Sequence, residues 1–308
     1  MHRFPNKSIG AGGLLLAACL LATSASGQSG VSEGLSPTLA NIKRTHVVRL
    51  GYRESSPPFS FLDHSNRPIG YSLELCEAIV EEIGVEVDDA NLKIEYVKVT
   101  SDDRIPAVVD NKIDLECGST TANAERAKLV AFSPLIFVAG TKLMVPKAST
   151  ISAPTDLKGK TVVVTKGTTN EQAMHAIDKK VSLGLNIVTS PDHEQSYQML
   201  VDGKADAFAT DDILLYGLIA RHKAQGQFKV TGEYLSYDPY GIMFRKGEPQ
   251  LKAVVERTFQ KLGSGRDLIP LYNKWFVARL PTGEKLGVSI SPQLEEAFKV
   301  LDDKHGSN

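Results

Sequence analysis

The chain has 308 residues, with 35 Lys and Arg against 36 Asp and Glu, a formal net charge of -1, and 42% hydrophobic and 23% charged residues. That balance belongs to a soluble globular protein and excludes a disordered or collagen-like chain, as well as a nucleic-acid partner held through bulk positive charge. The three cysteines include no Cys-x-x-Cys pair, which excludes a disulfide-built scaffold and a structural zinc site.

His2, Arg3 and Lys7 precede an apolar run over residues 9–22, and Thr23-Ser24-Ala25-Ser26-Gly27 follows it. A basic start, a short apolar middle and small residues after it predict a signal peptide over residues 1–27 and an exported, periplasmic protein. The run is short for a membrane span, and no other stretch approaches one. Leu16-Ala17-Ala18-Cys19 resembles a lipoprotein cleavage box, but apolar Leu20-Leu21-Ala22 continues past the cysteine, which favours cleavage near Ala25 or Gly27. Cys76 and Cys117 then remain. In an oxidising compartment they could pair, but lone thiols are often simply buried, and two unpaired thiols are the expectation.

Residues 28–37 form a Ser/Gly-rich lead-in. A strand is expected at 47–52. The helix expected at 71–83 places Leu73, Leu75, Cys76, Ile79, Val80 and Ile83 on one face. A strand at 93–99, a helix at 104–109 and a strand at 113–117 complete a βαβαβ series, which implies a mostly parallel sheet with flanking helices. The pattern then restarts. A long strand is expected at 136–145, then a strand at 161–164, a helix at 169–179, a strand at 186–188, a helix at 192–201 and a strand at 207–209. A strand at 240–245 and helices at 248–262 and 268–276 close the chain.

Val109-Asp110-Asn111-Lys112-Ile113-Asp114 is echoed 92 residues later by Val201-Asp202-Gly203-Lys204-Ala205-Asp206. The same offset relates Ser101 to His193 and Ser119 to Asp211. Two similar α/β lobes follow, with residues 28–139 plus 241–308 as the first and 140–240 as the second. The strands at 136–145 and 240–245 cross between them. Ligands of such sheets bind outside the carboxyl ends of the strands, here in a cleft between the lobes.

The strand-end residues suit an ion. Ser119, Thr120 and Thr121 leave backbone N–H groups open near a helix start, and Arg126 can pair with a carboxylate. Thr165-Lys166-Gly167-Thr168-Thr169 is the second lobe's counterpart and lacks the ending of a phosphate loop. Asp212 is the better-placed cap for the helix after residue 211, which frees Asp211 for an ammonium group. Arg104 opens a helix, where the dipole disfavours it. Nothing matches Gly-x-Ser-x-Gly, His-Glu-x-x-His or Gly-x-Gly-x-x-Gly, and no cofactor or metal is expected.

At Gly51-Tyr52-Arg53-Glu54-Ser55-Ser56-Pro57-Pro58-Phe59-Ser60 and Glu116-Cys117-Gly118-Ser119-Thr120-Thr121 the chain resembles the periplasmic amino-acid-binding proteins of ABC transporters, solute-binding family 3. It is most similar to the members that take glutamate and aspartate. The resemblance covers about residues 39–275 and implies the two-lobe, type II periplasmic binding protein fold. It also implies an acidic amino acid as ligand, an ABC transporter permease as partner, and a monomer. Arg126, with Ser119 and Thr121 beside it, matches the holder of the α-carboxylate, and Asp211 matches the acceptor of the α-ammonium. Arg53, Ser101, Arg104 and His193 match the set on the side-chain carboxylate. Thr169, with Thr168 adjacent, matches a second-lobe contact. The three arginines against Asp211 leave two positive charges, which suits a ligand with two carboxylates and one ammonium. An enzyme on the same scaffold, resembling the periplasmic dehydratases, is the alternative, with His193 its one acid–base candidate. A sensor module that presents its ligand to a receptor is another.

Overall fold

The computed structural model describes residues 34–303. The expected signal peptide with Cys19, most of the lead-in, and His305 lie outside the described residues.

The first stretch runs α1 (Pro37–Thr45), β1 (Val47–Tyr52), β2 (Ser55–Ser56), β3 (Ser60–Leu62), β4 (Pro68–Ile69), α2 (Tyr71–Val87), β5 (Lys93–Lys98), α3 (Arg104–Val109), β6 (Leu115–Glu116), β7 (Val130–Phe132) and β8 (Phe137–Ala139). The second runs β9 (Thr141–Pro146), β10 (Thr161–Thr165), α4 (Thr169–Val181), β11 (Asn186–Ser190), α5 (His193–Val201), β12 (Ala207–Asp211), α6 (Asp212–Arg221) and β13 (Phe228–Thr231). The chain returns through β14 (Asp238–Tyr240) and β15 (Met243–Arg245) to α7 (Pro249–Ser264), α8 (Leu268–Tyr272) and α9 (Pro292–Asp303). The periodic elements stand where the sequence places them. Those with weak local patterns do not appear in the sequence reading: α1, the small β2–β3–β4 sheet, β7, β13 and α9.

Two five-stranded sheets share one plan. The first has the order β5-β1-β6-β15-β7, with β1 parallel to its neighbours and β15 antiparallel to β6 and β7. The second has the order β11-β10-β12-β9-β13, with β10 in the place of β1 and β9 in the place of β15. The sequence echo is the local signature of this plan. Asp114 Oδ2 accepts from Arg49 N at 2.8 Å, and Asp206 Oδ2 accepts from Thr161 N at 2.8 Å. Both turns carry a left-handed residue, Asn111 at φ 60° and Gly203 at φ 68°. Each acid fastens a central strand to the next one, so both lobes repeat the aspartate.

The crossings differ from expectation. The strand expected at 136–145 divides at Gly140 into β8 and β9, and the one at 240–245 divides at Gly241 into β14 and β15. β8 and β14 pair with each other between the two sheets. A Cβ on Gly140 would lie 2.5 Å from the Ser236 carbonyl oxygen, so only glycine admits that approach. The freed groups bond outside the ladder, Gly140 O to Asp212 N and Gly241 N to Thr120 O. An unbroken apolar run thus conceals a change of sheet.

Cys76 and Cys117 form a disulfide, contrary to the expectation of two free thiols. The apolar face of α2 lies over the end of β6 and brings the Cα atoms within 6.1 Å, inside the usual range for a bridge. Both cysteines are fully buried in the larger core cluster, which also takes in Ile213 and Leu214 from α6.

Candidate ligand-binding site

A small cavity of about 10 Å³ lies where the two sheets face each other, lined by Ser101, Arg104, Ser119, Thr121, Thr168, Thr169, Asn170, His193, Asp211 and Leu214. Eight of the residues singled out from sequence are in this lining. The other two stand just behind it. Arg53 Nη2 donates to Ser101 Oγ at 2.7 Å, and Arg126 Nη1 donates to the Thr121 carbonyl at 2.9 Å. The echo pairs, Ser101 with His193 and Ser119 with Asp211, all line the cavity, as equivalent strand ends in facing lobes must. Larger grooves on the surface lack such a convergence of buried arginines.

Local chemistry sets each group. After β5, Thr100 and Asp103 exchange hydrogen bonds, of 2.6 Å from Thr100 N and 3.2 Å from Asp103 N, and start α3. Arg104 then sits in the first turn and turns inward, where Nη1 donates to the Ser119 carbonyl at 3.2 Å and to Thr120 Oγ1 at 2.7 Å. Gly118 admits Arg53 and Glu116, because a Cβ there would lie 3.0 Å from Arg53 Cγ and 2.3 Å from Glu116 Oε1. In the second lobe Gly167, at φ 76°, brings the turn before α4 against the backbone of Asp102. Arg126 Nη2 reaches across to the Gly167 carbonyl at 3.4 Å. The Thr168 hydroxyl is used within its own lobe. It caps α4 by accepting from Glu171 N and donates to the Thr165 carbonyl at 2.7 Å.

Asp211, not Asp212, holds the N-cap position of α6, a correction to the sequence reading. Its carboxylate makes no cap bond. It accepts from Asn170 Nδ2 at 2.8 Å and from the Tyr240 hydroxyl. Asp211 nevertheless lines the cavity. Asp238, Glu116 and Tyr240 are buried beside the site and were not singled out from sequence. Asp238 Oδ1 accepts from Thr121 at 3.0 Å and from Thr169 at 2.8 Å, one hydroxyl from each lobe. Glu116 Oε2 accepts from Thr120 at 2.6 Å. Asn170 alone had a usable signal, as the residue after Thr168-Thr169.

The added acids change the charge inventory. Counting Glu116 and Asp238, three arginines meet three carboxylates, so the site is not net positive as the sequence count has it. Burial, then repulsion from Arg104, pushes the Arg53 pKa down to about 10 and that of Arg126 to about 9. Burial, then repulsion from Asp238, pushes Asp211 up to about 7. Arg53 Nη1, Arg104 Nε and Ser119 Oγ are buried without a hydrogen-bond partner among the described residues. Glu116 acts on both Arg53 and Arg126, and Asp238 and Asp211 act on Arg126 as well. Beside Asp211 stands a second acid.

A raised carboxyl pKa favours the protonated fold, so the stability it contributes is full below its unfolded value near 4 and is lost as pH rises through about 7. Asp211→Asn is therefore expected to raise the Tm of the ligand-free protein above pH 7 and to have least effect near pH 4, as read by thermal melts across that range. A Tm difference that does not change with pH would contradict the buried, repelled carboxylate.

The sequence model of the bacterial extracellular solute-binding proteins, family 3, matches residues 48–278. The chain belongs to this family. The L-glutamate/L-aspartate-binding protein of Pseudomonas aeruginosa is 40% identical over 276 residues, which cover 89% of this chain and 91% of that protein. The glutamate/aspartate import solute-binding protein of Salmonella typhimurium is 37% identical over 268 residues, 87% of this chain and 89% of that protein. Among solved structures, a mutant ArgBP from T. maritima matches with a TM-score of 0.70 at 27% identity, covering 78% of this chain and all of that one. The type II two-lobe α/β fold expected from sequence is the fold found. Among the described residues no helix is long and apolar enough to cross a membrane.

Proposed function

We propose that this family 3 solute-binding protein captures L-glutamate or L-aspartate in the periplasm and hands it, unchanged, to the permease of an ABC transporter. The observation that carries the reading is the convergence of three buried arginines and the buried Asp211 at one cavity, where Arg53 Nη1, Arg104 Nε and Ser119 Oγ have no hydrogen-bond partner among the described residues. A buried charge is costly unless paired. An acidic amino acid brings two carboxylates that can accept from these arginines and the Ser119 hydroxyl, and one ammonium for Asp211. The assignments are Arg126, Ser119 and Thr121 to the α-carboxylate, Asp211 to the ammonium, and Arg53, Ser101, Arg104 and His193 to the side-chain carboxylate, with Thr169 and Thr168 completing the second-lobe wall. The lobes, residues 28–139 with 241–308 and residues 140–240, close around the ligand as a monomer. Arg126 and Asp211 then hold one molecule from opposite lobes, and the closed state gains affinity over the open one. The similarity to glutamate/aspartate binders supports the ligand class.

A thermal-shift screen of the mature protein against the common amino acids tests it. Glutamate or aspartate is expected to give the largest shift, since a ligand at a hundred times its Kd adds about 2.7 kcal/mol of stability. Lysine and arginine are expected to give none. A larger shift with a basic amino acid would sink the charge assignment.

A further inference from the structure

Behind His193 runs a chain of hydroxyls outside the cavity lining. Thr165 Oγ1 lies 2.8 Å from His193 Nδ1 and 2.8 Å from Ser196 Oγ. Ser196 Oγ lies 2.5 Å from Ser190 Oγ, and the two serine oxygens reach the Asp192 carbonyl at 3.1 Å and 2.9 Å respectively. All four side chains are buried. The fold brings them together: Thr165 and Ser190 are register partners at the ends of β10 and β11, and the first turn of α5 carries His193 and Ser196 over them.

A carbonyl oxygen only accepts, and a hydroxyl has one hydrogen to give. These distances describe five hydrogen bonds, and the three hydroxyls supply three hydrogens. A hydrogen on His193 Nδ1 supplies a fourth: Nδ1–H donates to Thr165, Thr165 to Ser196, Ser196 to Ser190, and Ser190 to the Asp192 carbonyl. With Nδ1 bare, Thr165 must turn its hydrogen back to the ring, and one hydrogen bond fewer forms among buried groups. The relay thus selects the Nδ1–H tautomer, which leaves Nε2 as the ring nitrogen for the cavity. In the neutral ring Nε2 is a lone pair, which repels a carboxylate.

The charged groups that face the ring are Arg53, from the end of β1, and Arg104, from α3. Phe208 of β12 packs on another side and does not titrate. Burial and both arginines push the imidazole pKa well below its ordinary value, and the start of α5 acts in the same direction, so the ring is neutral in the ligand-free protein.

We propose that the Thr165–Ser196–Ser190 relay keeps the proton of neutral His193 on Nδ1, so that an acidic side chain is bound at Nε2 only together with one proton from solvent. The step is imidazole plus proton giving imidazolium, and no bond of the ligand changes. Thr165, Ser196 and Ser190 are positioning residues that act through His193. The proton coupling rests on the acidic-ligand reading above, whereas the tautomer does not.

Two measurements test this. Nitrogen-15 NMR of the ligand-free protein is expected to show His193 protonated on Nδ1. In Ser196→Ala the Thr165 hydroxyl loses its acceptor and turns its hydrogen to Nδ1, so the ring proton moves to Nε2. Thr165→Val, close in shape, removes the same restraint should Ser196→Ala fold poorly. Titration calorimetry with glutamate, in buffers of different ionisation heat, counts protons. The wild type is expected to take up about one proton more than Ser196→Ala. Proton release from Asp211 on meeting the ammonium is common to both proteins and cancels in that difference. A free wild-type ring protonated on Nε2, or equal proton counts in the two proteins, overturns the proposal. If glutamate does not bind at all, the acidic-ligand reading fails, and the ring spectrum of the free protein still decides the relay.

Discussion

Arg126→Ala is expected to weaken binding of every amino acid by about two to three and a half orders of magnitude, the equivalent of roughly 3–5 kcal/mol for removing one partner of a buried charge pair. All amino acids carry an α-carboxylate, the group assigned to Arg126 in the proposed function, and the guanidinium is positioned by the Thr121 carbonyl of its own lobe and the Gly167 carbonyl of the other. Arg104→Ala is expected to act differently. It should reduce affinity for glutamate and aspartate far more than for glutamine and asparagine, because only the acids carry a distal charge. Its loss should also be smaller than that at Arg126. In the proposed assignment Arg53 shares the distal carboxylate, and Arg104 is the charge that most lowers the pKa values of both other arginines, so its removal relieves repulsion in the free protein. The two effects need not add. Titration calorimetry of both variants with glutamate and glutamine separates the roles. Equal proportional losses for the two ligands in Arg104→Ala would mean that Arg104 does not read the side chain, and acidic specificity would then rest on Arg53 and His193.

Removing the disulfide is expected to have the largest effect on stability. Cys76 and Cys117 are 41 residues apart, and closing a loop of that length stabilises by about 4 kcal/mol through the unfolded chain. For a protein of this size the double variant Cys76→Ser with Cys117→Ser should melt roughly 10 °C lower. The bridge also fastens the loop that carries Ser119 and Thr121 to α2, next to the bond from Ser72 Oγ to the Gly118 carbonyl at 2.8 Å. Scanning calorimetry of the oxidised, reduced and double-serine proteins provides the check. Identical melting of the oxidised and reduced forms would show that the bridge contributes nothing.

Much of the site was readable before any coordinates. Arg104 at a helix start, the hydroxyl run at Ser119 to Thr121 and the 92-residue echo are local features, because caps, turns and periodicity act over a few residues and leave their mark in them. The echo even located cavity residues, since each lobe uses an aspartate to fasten its central strands and so places its strand ends alike. Periodicity records that a face is buried; it does not record against what. For that reason the apolar runs at 136–145 and 240–245 read as single strands, although each changes sheet at a glycine. The pairing of Cys76 with Cys117 depends on where α2 settles over β6. Asp238 sits in a segment with no local pattern and becomes part of the site only because β8 pairs with β14. The sequence by itself determined the two-lobe plan and most of the groups that meet at the cavity. Tertiary structure alone decided how their charges are compensated, because Glu116 and Asp238 reach the arginines and Asp211 through packing between segments far apart in the chain.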